Sequence, residues 1–351
     1  MSLEDNPDRL FDPSAVADSL RVPIPVHGNL FSGNLAGDHP STRIGEGSDK
    51  DGLRPYEIGE PAKKIDWKAT AMNADESLVV REHIADVTPN LYVLTDIFRS
   101  RFTVNPGFAS EQLLGTSAIL AMMRTADADG IPTALIAATD SELYVQYTPS
   151  LGRNHIFRTG HDVATLIDPD LPTSKTVTGS KRREGRLERP SKKSGDTLQL
   201  ADVIDRANRL VTPGSDQLKE SIFVVVSDFR DDLDPTQVEG GWAKKLTRLA
   251  ALGHVVISVE LTNEDDFSLP EGDQVLATRG RRSWLGSSSK DKLSQRKRES
   301  YKTDTVEQQE IINSVLARLS IGTVRLSTEP GETSGEWLAD LKKQLKSIRT
   351  R

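Results

Sequence analysis

The chain of 351 residues contains no cysteine. That single absence excludes disulfides, thiolate zinc sites and cysteine nucleophiles, and it fits a reducing compartment. Nowhere do about 18 apolar residues run consecutively, so the sequence offers no membrane-spanning helix. The first twenty residues are acidic, without a basic stretch leading into an apolar one, and are not expected to act as a secretory signal. Phosphate-binding fingerprints are missing too. No GxxxxGK(S/T) occurs, and Gly45-Glu46-Gly47 with its next glycine at Gly52 has the wrong spacing for a dinucleotide loop. The run from Gly331 to Gly335 displaces its serine by one position from a nucleophile elbow. The six histidines are scattered, with no HExxH; His254 opens an apolar strand and reads as a satisfied core or edge residue. Positive charge is in deficit: 45 Lys and Arg stand against 52 Asp and Glu, a net charge of -7, which argues against general nucleic-acid binding.

What remains is a chain with 36% hydrophobic and 28% charged residues, enough for one large α/β domain with an extension and long polar loops. Residues 1–86 read as the extension, with a short helix near 14–21, loop, and a strand at 77–85. From residue 91 strands and helices alternate. Strands are predicted at 91–96, 132–138, 143–147 (at an edge), 221–227, 254–261, 275–278 and 323–326. Helices are predicted at 112–125, 161–167, 197–210, 242–252, 306–319 and 336–348. Alternation of this kind predicts a mostly parallel, Rossmann-like sheet over 87–351 with helices on both faces. Loop insertions are expected near 168–196 and 279–303. Their basic stretches, 175–194 and 279–302, have no apolar period and read as solvated surface loops. The alternative is a patch for an acidic partner or anionic lipid.

The run 45–71, GEGSDKDGLRPYEIGEPAKKIDWKATA, is unlike a core strand. Glycines and charges separate its few large apolar residues, and its turn formers are too many for one element. On a structural reading, Ile65 and Trp67 pack under a sheet while Arg54, Lys63 and Lys64 pair with Glu57, Glu60 and Asp66. On a functional reading, Tyr56, Trp67 and Arg54 form a partner-binding lip, since Trp, Tyr and Arg dominate interface energetics.

In an open parallel sheet, ligands bind at the carboxyl ends of the strands. Two predicted strands end in aspartate, Asp96 and Asp228. With Ser100, four residues past Asp96, and Thr197, before a predicted helix, they form a set of hard oxygen donors suited to magnesium. The set resembles the metal-ion-dependent adhesion site of the von Willebrand A fold, where Asp-x-Ser-x-Ser is joined by a later Thr and Asp. Here the loop reads Asp96-Ile97-Phe98-Arg99-Ser100, with phenylalanine in place of the first serine and a cation beside it. Each residue also has a plainer use: Asp96 and Thr197 as caps, and 227–232 as a charged turn.

Taken together, these blocks resemble the bacterial domain-of-unknown-function family fifty-eight, proteins with a von Willebrand A-like domain. The matching elements are Gly37-x-His39-x-Ser41, Gly45-x-Gly47, Leu53-Arg54-x-Tyr56-x-x-Gly59-Glu60, Lys64-Ile65-Asp66-Trp67-Lys68-Ala69, Val80-Arg81-Glu82, Asp96, 195–198 and 227–231. Departures are Phe98, Pro61 where aspartate is common, and the lack of membrane helices, which marks a short soluble member. The resemblance implies a non-enzymatic adaptor working with a MoxR-type AAA+ ATPase in assembly or maturation of a client protein. It implies a cytoplasmic location, or one peripheral to the inner membrane. Asp96, Ser100, Thr197 and Asp228 would be the magnesium residues. Arg54, Tyr56, Gly59, Glu60, Asp66, Trp67, Lys68 and Arg99 would be the signature and partner residues. The alternative is a metal-dependent hydrolase built on Asp96, Asp228, Asp231 and Asp232.

Overall fold

Among the described residues, seven strands build one sheet: β3 (Asn90–Thr95), β4 (Thr133–Ala138), β5 (Leu143–Val145), β6 (Arg186–Glu188), β7 (Ser221–Ser227), β8 (Val255–Asn263) and β9 (Gly322–Thr328). Their order across the sheet is β6-β5-β4-β3-β7-β8-β9. The computed structural model describes residues 36–73, 77–87, 89–99, 111–167, 185–189, 198–210, 221–230, 241–263, 295–319, 321–328 and 336–347. The neighbours β4, β3, β7, β8 and β9 are parallel, while β5 and β6 run antiparallel at one side. This is the mostly parallel, helix-covered α/β architecture that the alternation of elements predicts.

Parallel strands buried on both faces should be apolar throughout, and β3, β4 and β7 are buried at every position. Successive residues feed opposite cores. Leu91 and Val93 of β3, with Val224 and Val226 of β7, enter one cluster; Tyr92, Leu94, Phe223 and Val225 enter the other. The first cluster is covered by α2 (Glu111–Ala128), α3 (Arg153–Ile167) and α7 (Glu336–Ser347). The second is covered by α4 (Leu200–Leu210), α5 (Trp242–Ala251) and α6 (Gln295–Arg318). Each Val, Leu, Ile or Phe so buried contributes about 1.5–3 kcal/mol, which makes these two layers the main source of stability.

Local signals set the helix ends and approaches. At the start of α4 the Asp202 carboxylate accepts from the Gln199 N–H at 2.8 Å, the reach-back bond of a helix capping box. In α2, Gly115 lets the helix lie close on the sheet: a Cβ there would come within 2.8 Å of Ile97 Cδ1 and Leu261 Cδ1.

Four expectations are corrected. The strand at 143–147 is not the edge, because β6 pairs outside it through Tyr144↔Leu187. That strand lies inside the stretch read as loop; its charges are tolerated because Glu188 accepts from Arg206 at 2.8 and 3.1 Å. α3 begins at Arg153 rather than 161, and α6 at Gln295 rather than 306, inside the second basic stretch. Helix formers with no core-facing stripe carry no apolar period, so that first segment of α6 reads as loop. The expected helix at 14–21 and strand at 275–278 fall outside the described residues.

A second sheet holds only β1 (Ala36–Pro55) and β2 (Val79–Val87), antiparallel, with repeated register shifts along β1. Much of the glycine-rich run, expected to hold no single long element, is therefore strand. A two-stranded ribbon with bulges accepts glycine and charge that a core strand would not.

Candidate functional site

The chain path creates a crevice. From β3 the connection through α2 leads to β4 on one side; from β7 the connection through α5 leads to β8 on the other. Neighbouring strands whose connections diverge form a topological switch point, where open α/β sheets bind ligands at the carboxyl ends. Thr95 is in register with Val226, so Asp96 and Asp228 stand at the same rim, just past the ends of adjacent strands.

Both turns are held by their own side chains. Thr95 Oγ1 donates to the Val226 carbonyl at 2.8 Å and accepts from the Ile97 N–H at 3.3 Å. Asp96 is wholly buried, and the Arg99 guanidinium, itself 7% exposed, donates to its Oδ2 at 3.2 Å. The Arg99 N–H also bonds the Asp96 carbonyl at 3.3 Å, closing the turn. After β7, Ser227 Oγ accepts from the Phe229 N–H and Asp228 Oδ1 from the Arg230 N–H, each at 3.1 Å. Phe229 has a φ of 55°, a left-handed conformation rare for a bulky residue, held by burial of its ring against Trp242 at 5.1 Å. Ser100, Thr197, Asp231 and Asp232 lie outside the described residues. Leu198, next to Thr197, donates to the Asp140 carbonyl at 3.1 Å, which ties that segment to the end of β4.

Beside this rim opens a cleft of about 490 Å³ between the β3 and β4 ends, the end of α3 and Leu187 of β6. Phe98, Arg99, Gln112, Thr139, Asp140, Ser141 and Glu142 line it. Sequence reasoning missed all of these but Phe98 and Arg99. The available signal was the Thr-Asp-Ser-Glu turn at 139–142, directly after a buried strand.

The signature residues sort into two groups. Arg54 grips both carboxylate oxygens of Glu60, one at 2.9 Å, and Tyr56 Oη donates to the Glu60 carbonyl at 2.7 Å. The hydrogen bonds from Arg54 hold the Glu60 carboxyl down to about 2. The Glu60 N–H returns to the Glu57 carbonyl at 3.2 Å, a turn with Gly59 at φ 112°, which only glycine adopts without strain. Asp66 caps the short helix α1 (Trp67–Met72), accepting from the Lys68 and Ala69 N–H groups at 3.1 and 3.0 Å. Ile65 is buried against β2 as the structural reading expects, but Trp67 is not: it is 63% exposed. At the first helical position its ring points away from the strand, which is instead met by Thr70 Oγ1 accepting from the Val79 N–H at 3.0 Å. Lys68 is exposed as well.

His254 is a core residue, as expected, but only half satisfied, because its buried Nε2 has no hydrogen-bond partner among the described residues. Its Nδ1 accepts from the Ser221 N–H at 3.2 Å, its ring meets Phe223 edge-on, and burial pushes its pKa down to about 4.

A family model described as "Protein of unknown function DUF58" matches residues 52–311. The chain belongs to the DUF58 family. It is 23% identical over 266 residues to the uncharacterized proteins Rv1480 of Mycobacterium tuberculosis and Mb1516 of Mycobacterium bovis, covering 76% of this chain and 71% of each relative. Among solved structures, it is similar to the conserved hypothetical protein BatB from Bacteroides thetaiotaomicron, with a TM-score of 0.38 and 13% identity over 74% of this chain and 97% of that one. The DUF58 match spans the Arg54–Glu60 loop, the Asp66 cap and both strand ends of the rim. Among the described residues no helix is long and apolar enough to cross a membrane.

Proposed function

We propose that this DUF58 chain is a non-enzymatic protein-binding scaffold whose partner surface is the carboxyl-terminal rim of the seven-stranded sheet. The observation that carries the reading is an open cleft of mixed polar and apolar lining that lies beside the β3/β7 switch point and shares with it the turn at Phe98 and Arg99. Polar groups converging at such a crevice are the usual form of a binding site in this architecture. The partner class, a MoxR-type AAA+ ATPase serving assembly or maturation of client proteins, comes from the family resemblance of the sequence. The hydrolase alternative is the weaker one, because Asp96 is engaged by an arginine rather than held open for a pair of metal ions.

The test is calorimetric titration of the purified chain with the MoxR-type ATPase encoded in the same genome. Ser141→Trp, at an exposed position of the cleft wall, and Asp228→Ala should each weaken binding at least about tenfold while leaving the circular dichroism spectrum unchanged. No binding by the parent chain rejects this ATPase as the partner, and binding by both variants equal to that of the parent rejects the rim as the partner surface.

A further inference from the structure

A buried carboxylate needs a counter-charge. Left without one, Asp96, with no exposed surface, would be too costly to keep ionised. Two kinds of cation can supply the charge at a strand end of this fold, a divalent metal or a basic side chain. The residues around Asp96 favour the second. Phe98, where a ligand oxygen would be wanted, is 5% exposed and offers only carbon. Arg99 folds back within the same turn, its guanidinium on Asp96 Oδ2 at 3.2 Å. A divalent ion on that carboxylate would sit against a like charge that is itself buried, where repulsion is weakly screened. Among the described residues, the Asp96 end of the rim therefore does not fit a metal.

We infer that Arg99 is the resident cation of the rim, occupying the role that a divalent metal would play at Asp96, so that partner binding here is independent of metal. This deepens the scaffold reading and rests on it only for the partner. Arg99 lines the cleft although it is only 7% exposed, so the Asp96–Arg99 pair forms part of the wall a partner would meet. Unlike a metal ion it cannot be lost to a chelator, and a guanidinium stays charged at every physiological pH. The contact is thereby always armed.

Two experiments on the full chain decide this. In the first, thermal unfolding is followed with magnesium and then manganese chloride, at constant ionic strength. The parent midpoint should not move with either ion. A rise in midpoint that Asp96→Asn abolishes would overturn the inference. In the same assay Arg99→Ser should lower the midpoint more than the double variant Asp96→Asn/Arg99→Ser does, because the second change removes the stranded charge. A double variant that falls by the sum of the single losses would also overturn it. If neither Arg99→Ser protein folds, the metal titration of the parent chain decides between the two cations. In the second experiment, ATPase binding should be unchanged by EDTA, weakened at least about tenfold by Arg99→Ser and largely kept by Arg99→Lys. Loss of binding in EDTA, or full binding by a folded Arg99→Ser protein, refutes the metal-free role. Failure of the ATPase to bind the parent chain rejects the partner alone, and the unfolding experiment still tests Arg99.

Discussion

Replacing His254 with asparagine should remove much of the acid sensitivity of this fold between about pH 6.5 and pH 5. The imidazole is buried beside Phe223, and its Nδ1 accepts from Ser221, so the neutral ring is the form the folded chain holds. Burial lowers its pKa from 6.5 to about 4. The unfolded chain therefore takes up a proton as pH falls below 6.5, whereas the folded chain resists until about 4. Stability is fully present above the unfolded value, is lost as pH falls toward the folded one, and levels off below it. At 1.36 kcal/mol per pH unit, the gap between 6.5 and about 4 is worth about 3 kcal/mol in full and about 2 kcal/mol by pH 5. Asparagine offers an acceptor for the Ser221 amide but does not titrate. It gives up the edge contact with Phe223, worth about 0.5–1.5 kcal/mol, and that loss is the same at every pH. Urea unfolding of both proteins at about pH 7 and about pH 5 isolates the effect as the difference between their pH slopes. Equal slopes would refute the reasoning, showing that the ring takes up its proton as readily in the folded chain as in the unfolded one.

Other outcomes follow from particular contacts. In Arg54→Ala, the Glu60 carboxyl should titrate back toward 4.5 from about 2 by NMR; the native pair adds stability above 4.5 that is lost as pH falls through about 2, and an unmoved value would contradict the pairing. Tyr144→Phe removes a hydroxyl that donates to Asp162 at 2.7 Å and accepts from Gln146 at 3.0 Å, and should cost about 1–3 kcal/mol in urea unfolding. Gly115→Leu forces a side chain against Ile97 and Leu261 and should destabilise by at least about 1–3 kcal/mol, with α2 displaced from the sheet. Asp66→Ala should cost about 1 kcal/mol through the lost cap, whereas Trp67→Ala beside it should stay within about 0.5 kcal/mol by the same measurement.

The sequence revealed those parts of the fold in which every residue obeys one rule. β7 was legible to the residue because a strand buried on both faces must be apolar at every position. β6 was hidden because three residues with a single apolar member carry no period, and it is its partners, β5 and Arg206, that make it a strand. β1 was hidden for the opposite reason: a bulged two-stranded ribbon places little demand on composition. At the site, Asp96 and Asp228 were legible as strand-end acids. The cleft was not, since it is assembled from residues between Phe98 and Leu187 that no local pattern joins.

The geometry separates two kinds of residue that the family signature mixes. Arg54, Tyr56, Glu60 and Asp66 spend hydrogen-bonding groups on one another and on the adjoining backbone, closing a turn at Gly59 and capping a helix. Groups committed in that way have little left to offer a partner, so the arrangement of this block needs no ligand to explain it. Ile58 and Trp67, by contrast, are held out by that scaffolding and are largely exposed. The Asp96 turn shows the same self-containment with the opposite result. There the internal bond of Arg99 neutralises a buried acid and also fixes a positive charge in the wall of a cleft. In the turn at 96–99, internal structure and outward chemistry therefore depend on the same side chain.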